Sequence, residues 1–160
     1  MQTAKLKNIP ADPAALLSQK RKALFSKLGK GQSSDFLQQH TRILDAYFHE
    51  RFETSMVGPN MRIDKNPYVF IALGGYGRAE QCVNSDIDLL FLFQKRVPDA
   101  AEGLIREIVY PLWDIGLEVG YATRSVKECI HLASKEFDIL TPLLDARFLC
   151  GMSILYSGLM

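Results

Sequence analysis

The sequence predicts an α+β domain with α/β character: a small mixed sheet flanked by helices, preceded by an N-terminal helical arm or brace. Three observations carry this. Two short, continuously apolar runs, Tyr68–Leu73 and Ile87–Phe93, have the length and the β-branched and aromatic content of buried strands. Apolar residues recur at helical spacing on both sides of them. The 160 residues are 48% hydrophobic and 23% charged, enough apolar material for one core and a helical extension. We place a helical segment at residues 1–66 and a core domain at residues 67–160.

From Asp12 to Leu28 the positions Leu16, Leu17, Ala23, Leu24 and Leu28 mark a first helix, with Pro13 in its first turn and Gly29 to stop it. Ser33, Ser34 and Asp35 offer caps for a second, longer helix through about residue 55, whose stripe is Phe36, Leu37, His40, Ile43, Leu44, Tyr47, Phe48 and Phe52. Gly58, Pro59, Asn60 and Asn66-Pro67 break the helical period, and the domain seam is expected there. The first strand runs into Gly74-Gly75, and thirteen residues, Gly74 to Asp86, separate it from the second, room for a glycine turn and a short helix. Pro98–Ile115 reads as a helix stopped by Gly116. Leu117–Thr123 is a candidate third strand, and Ser125–Phe137 a further helix with a Ser125/Glu128 capping box. Residues 139–150 are apolar and fit either element.

Composition excludes several classes. Nineteen basic against eighteen acidic residues leave a net charge of +1, so no global field draws the chain to nucleic acid or an anionic membrane. No run approaches the roughly 20 apolar residues of a membrane span, and no signal-like segment follows Met1, so a cytoplasmic location is expected. Cys82, Cys129 and Cys150 are odd in number and widely spaced, which suits reduced, semi-buried packing residues better than a disulfide framework or zinc site. The apolar ending, Leu155 to Met160, has no charged cap and suggests a fragment of a longer chain.

The chemistry concentrates in Leu73-Gly74-Gly75-Tyr76-Gly77-Arg78-Ala79-Glu80 and Asn84-Ser85-Asp86-Ile87-Asp88-Leu89-Leu90. Side chains alternate along a strand, so Asp86 and Asp88 point the same way at one strand end. Two like charges this close raise one another's pKa unless a cation lies between them. Mg²⁺, with Mn²⁺ as a substitute, fits: it takes hard oxygen ligands from one or two carboxylates and completes its shell with phosphates. Gly74 and Gly75 permit a close backbone approach, and Gly77-Arg78 is read as opening the short helix, whose free N–H groups favour an anion. Arg78 and the Ser85 hydroxyl are candidate phosphate contacts. Each motif alone has a bland reading, a plain turn for Gly-Gly and a solvated sheet edge for Asp-x-Asp. Their spacing, which puts carboxylates beside a phosphate cradle, favours function. A dinucleotide fingerprint would need glycine at Glu80, and no Gly-Lys-Ser/Thr of a Walker loop follows the turn. His40, His49 and His131 lack ligand spacing and are read as structural.

On these residues the chain resembles the polymerase-β-like nucleotidyltransferase superfamily: an apolar strand, Gly-Gly, then Asp-x-Asp leading a second strand. Within it, Gly-Gly-Tyr-Gly-Arg-x-Glu followed by Ser-Asp-Ile-Asp-Leu-Leu resembles the N-terminal domain of the PII-protein uridylyltransferases, bacterial enzymes of nitrogen regulation, and related signalling nucleotidyltransferases. The similarity continues through Trp113–Gly120, Arg124-Ser125 and Leu143–Gly151, covering roughly residues 68–151. The resemblance implies a nucleotidyltransferase fold and transfer of a nucleoside monophosphate, UMP from UTP, to an acceptor hydroxyl, a tyrosine of a PII-type signal protein. Pyrophosphate leaves. By position it makes Asp86 and Asp88 the metal ligands, Gly74, Gly75 and Ser85 the phosphate contacts, and Arg78 a supporting charge. For the third carboxylate that the superfamily often uses, Glu118 and Asp145 both stay open, since the equivalent point falls near Gly120. Two alternatives also stand: a degenerate domain that binds nucleotide as a regulator, and an enzyme with a nucleic-acid or small-molecule acceptor, the former acceptor disfavoured by the near-zero charge.

Overall fold

The computed structural model describes residues 12–31 and 35–160. Its helices are α1 (Pro13–Leu28), α2 (Phe36–Thr54), α3 (Gly74–Gly77), α4 (Ala101–Asp114), α5 (Val126–Ala133), α6 (Phe137–Leu144) and α7 (Ser153–Leu159), with a 3₁₀ turn at Gly58–Met61. Its strands are β1 (Tyr68–Leu73), β2 (Ile87–Phe93), β3 (Val119–Ser125) and β4 (Arg147–Gly151), in the spatial order β3-β2-β1-β4. β1 is antiparallel to β2 and β4, whereas β2 and β3 run parallel. A parallel pair cannot be closed by a hairpin, and α4 is its crossover.

Strand alternation sorts the core into two layers. Tyr68, Phe70 and Ala72 of β1 and Ile87, Leu89, Phe91 and Phe93 of β2 face α1, α2 and α4. Val69, Ile71, Leu90 and Leu92 face α5, α6 and α7. Both faces are covered, which is why β1 and β2 read as unbroken apolar runs. The leading helices act as a brace: Leu44 and Phe48 of α2 are 0% exposed within the sheet's core, and the Tyr47 hydroxyl donates to the Ile108 carbonyl at 2.7 Å.

Most element boundaries follow local chemistry. Pro13 opens α1 behind an Asp12 cap, and Gly29 closes it. The Ser125/Glu128 capping box forms as expected. Ser33 and Ser34 lie outside the described residues. Asp35 occupies the N-cap of α2 without capping it, because its carboxylate accepts from Gln39 Nε2 at 2.6 Å. β3 starts two residues after the expected Leu117, because that residue still closes α4: Leu117 N–H donates to Leu112 O, and Gly116, at φ +81°, donates to Trp113 O. This is a Schellman closure. α4 itself begins at Ala101 rather than Pro98, and α5 ends at Ala133 rather than Phe137. The undecided residues 139–150 divide between α6 and β4. Cys129 and Cys150 are buried and free, but Cys82 is exposed, against its reading as a packing residue. Among the described residues, no helix is long and apolar enough to cross a membrane.

Candidate active site

Three strands end together at one edge of the sheet. Leu73 of β1 lies opposite Asp88 of β2, and Asp88 lies opposite Gly120 of β3. Asp88 shares the parity of Leu90 and Leu92, so it sits at the open end of the face that α5–α7 cover. The chain leaves β1 at Gly74 with φ +55°, a conformation that disfavours any side chain. A Cβ at Gly74 would stand 3.3 Å from Asp88 Oδ2, and one at Gly120 would stand 3.1 Å from Asp88 Oδ1. Glycine on both neighbouring strands therefore makes room for a single carboxylate. Partial burial, and then the charge of Asp86, push the Asp88 carboxyl above its ordinary range.

Asp86 is exposed, one residue ahead of β2. Ile87 N–H donates to the Glu118 carbonyl at 2.9 Å, which sets Glu118 beside Asp86. A hydrogen bond to the Asp86 carboxylate, followed by that carboxylate's charge, pushes Glu118 up. Of the two candidates for a third carboxylate, the fold sets Glu118 beside Asp86. Asp145 lines the same cleft as Asp88 but is paired with Arg78 Nη1 at 2.5 Å, while Arg78 Nε also contacts Glu80 at 3.2 Å. Ser85 is exposed in the bend before Asp86. An open cleft of about 460 Å³ runs from Gly74, Arg78 and Asp88 past Gly120 to Thr141 and Asp145.

The glycine turn corrects one expectation. α3 opens at Gly74 and ends at Gly77, so Gly77-Arg78 closes the helix rather than opening it. The positive φ of Gly74 turns the chain straight from strand into helix, leaving Gly75 inside the turn. Gly77 has a different task. A Cβ on it would lie 2.0 Å from the Asp145 carbonyl oxygen and 3.0 Å from that of Ala72.

Several supporting residues carry no local signal. Tyr76 is 0% exposed, and its hydroxyl donates to Asp45 Oδ1 at 2.7 Å. Arg147 forks onto both Asp45 oxygens at 2.9 and 3.0 Å and donates to the carbonyls of Tyr76 and Gly77. This network ties α3 to α2 and β4, with a geometry only Arg supplies. Gln81, also buried, donates from Nε2 to the carbonyls of Ser85 at 2.7 Å and Asp86 at 3.2 Å, holding the approach to the carboxylates.

His40 anchors Gln81 in turn. Arg21 Nε donates to His40 Nε2 at 3.0 Å, which leaves Nδ1–H to donate to Gln81 O at 2.9 Å. The ring is neutral, and burial, with a further push from Arg21, lowers its pKa below the ordinary value. The neutral ring matches the unfolded chain above about pH 6.5, so full stability is present there. Below that pH the unfolded chain takes up a proton that the folded ring resists, and stability falls by up to about 1.4 kcal/mol per pH unit until the folded pKa is reached. His40→Asn should remove this part of the acid loss, read as a flatter melting temperature between pH 6.5 and 5. An unchanged slope would place the acid sensitivity elsewhere.

Asp86 and Asp88 offer hard oxygen donors of like charge, and neither has a salt-bridge partner among the described residues. That donor set suits Mg²⁺ or Mn²⁺ shared with phosphate oxygens. Among the described residues, no three His, Cys, Asp or Glu side chains converge as a finished metal cage.

Comparison with known proteins shows the family. A family model described as "Putative nucleotidyltransferase DUF294" matches residues 19–127. The chain is also 37% identical over 134 residues to the bifunctional uridylyltransferase/uridylyl-removing enzyme of Rhodospirillum rubrum. That alignment covers 81% of this chain and 14% of the relative, so the chain corresponds to a small part of the longer protein.

Proposed function

The chain belongs to the DUF294 nucleotidyltransferase family, and from that premise we propose that it transfers UMP from UTP to a hydroxyl of a protein acceptor, a tyrosine of a PII-type signal protein. The observation that carries the proposal is the Asp88 carboxylate seated between Gly74 and Gly120, with Asp86 and Glu118 beside it. In the transfer, the acceptor oxygen bonds to the α-phosphorus, the bond from that phosphorus to the bridging oxygen breaks, pyrophosphate leaves, and the hydroxyl gives up its proton. Asp86 and Asp88 would hold Mg²⁺ or Mn²⁺, which neutralises triphosphate charge when bound. Gly74 and Gly75 let the backbone approach the phosphates, and Ser85 donates its hydroxyl to one of them. Arg78 contacts phosphate by exchanging it for its Asp145 and Glu80 partners. Glu118, beside Asp86, accepts the hydroxyl proton.

The test combines UTP labelled at the α-phosphate, Mg²⁺ and a purified PII-type protein, with ATP, CTP and GTP in parallel. Metal-dependent labelling of an acceptor tyrosine, strongest from UTP, is expected. A second reading is regulation by nucleotide binding without transfer. Tight metal-dependent UTP binding without label on any acceptor would select it. Failure to bind any nucleotide would end both.

A further inference from the structure

A second cavity borders the bend before Asp86 and the residues that lead into β3. Its volume is about 430 Å³, and its walls include Arg21 and Phe25 of α1, Asn84 and Ser85 of the bend before Asp86, and Leu117 and Glu118 ahead of β3. Ser85 and Glu118 join it to the site; none of its walls belongs to the cleft that contains Asp88 and Arg78.

Arg21 gives the cavity its chemistry. Nε is committed to His40, and the guanidinium lies over the Phe25 ring at 5.0 Å, so the group is oriented from two sides. Half-burial lowers its pKa, a sign that its charge is poorly compensated. No carboxylate pairs with it among the described residues, and residues 1–11 and 32–34 contain no Asp or Glu. Its terminal nitrogens make no hydrogen bond among the described residues and are not among the buried unpaired atoms. A fixed fork of donors with no acceptor, over an aromatic face, is a carboxylate receptor. Asn84 adds an amide at the rim.

We propose that this cavity is the acceptor subsite, in which Arg21 binds the carboxylate of an acidic side chain next to the hydroxyl that receives the nucleotide. This rests on the reading of the site as a nucleotidyltransferase centre. Ser85 and Glu118 line this cavity next to Asp86, so a hydroxyl one residue away from the bound carboxylate reaches the reacting centre from this cavity. The arrangement selects acceptors: a neutral neighbour leaves a half-buried guanidinium unpaired, and a basic one repels it.

The experiment uses the whole chain and two probes, N-acetyl-Tyr-Glu amide and N-acetyl-Tyr-Gln amide, with Mg²⁺-dependent UTP binding measured in parallel. The wild type should bind the Glu peptide about tenfold or more tightly than the Gln peptide, the discrimination a charge-assisted hydrogen bond supplies. Arg21→Met should bring that ratio close to one, whatever UTP affinity the variant loses through His40 and Gln81. Because Arg21→Met also removes the His40 contact, Asn84→Asp is the second variant: it puts an anion at the rim, away from the core, and should weaken the Glu peptide selectively. Equal binding of the two peptides by the wild type, absence of binding to either, or an unaltered preference in both variants overturns the subsite. If the wild type binds no UTP, the nucleotidyltransferase reading fails by itself, and the peptide ratio still judges the subsite.

Discussion

Asp88→Asn is expected to lower nucleotide transfer by about a thousandfold while the protein stays folded. The substitution keeps the shape that fits between Gly74 and Gly120 but removes a charged metal ligand, and phosphoryl-type transfer depends on positioning and charge neutralisation. Asp86→Asn should behave alike. The stability change has the opposite sign from the activity change. The folded state raises the Asp88 pKa through partial burial and the charge of Asp86, so the ionised carboxylate opposes folding at neutral pH without metal. With chelator present, Asp88→Asn should therefore leave the melting temperature unchanged or raise it slightly. A pair that merely capped a strand or made a surface bridge would instead cost about 1 kcal/mol on substitution. Transfer rates and metal-dependent UTP binding, set beside melting curves, separate the cases. Wild-type labelling by either variant, or undiminished metal-dependent binding by both, would take these residues out of the mechanism.

How much of this was legible in the sequence depends on the range of the interaction concerned. Asp86, Asp88 and the glycines of the turn could be read because strand alternation and backbone freedom act over a few residues. Glu118 stayed level with Asp145 until the parallel pairing of β2 and β3 set it opposite Asp86; no local pattern specifies that register. The support behind α3 was invisible for the same reason. Arg147 and Asp45 are 102 residues apart, and Tyr76 and Asp45 are 31 apart, so each looks like an ordinary helix or strand residue until the chain is folded. β4 is ambiguous in the sequence because it is only five residues long and follows closely on α6, whose internal Pro142 weakens the helical signal before it. Gly77 reads in the sequence as opening the anion-favouring helix, since a glycine needed for close packing and one needed for a turn or ligand look alike in one dimension.

That ambiguity at Gly77 leads to the largest stability effect expected of any single methyl group near the site. In Gly77→Ala the new Cβ would sit 2.0 Å from the Asp145 carbonyl oxygen. Both partners are backbone, so no rotamer relieves the overlap, and α3 must move away from the segment entering β4 by about 1 Å or more. Arg147 would then lose its contacts with the Tyr76 and Gly77 carbonyls while its partly buried pair with Asp45 remains. The cost should reach about 3 kcal/mol, or roughly 10 °C in melting temperature for a chain of this size. Gly75→Ala is the control. Its Cβ would meet nothing nearer than Arg78 Nη2 and the Glu80 carbonyl, both at 3.8 Å, so the fold should tolerate it. If Gly75 lies against phosphate as proposed, the same methyl group weakens metal-dependent UTP binding at nearly unchanged melting temperature, giving the two neighbouring glycines opposite phenotypes. A Gly77→Ala protein as stable as wild type would refute the packing argument, and a Gly75→Ala protein with full nucleotide affinity would remove Gly75 from the cradle.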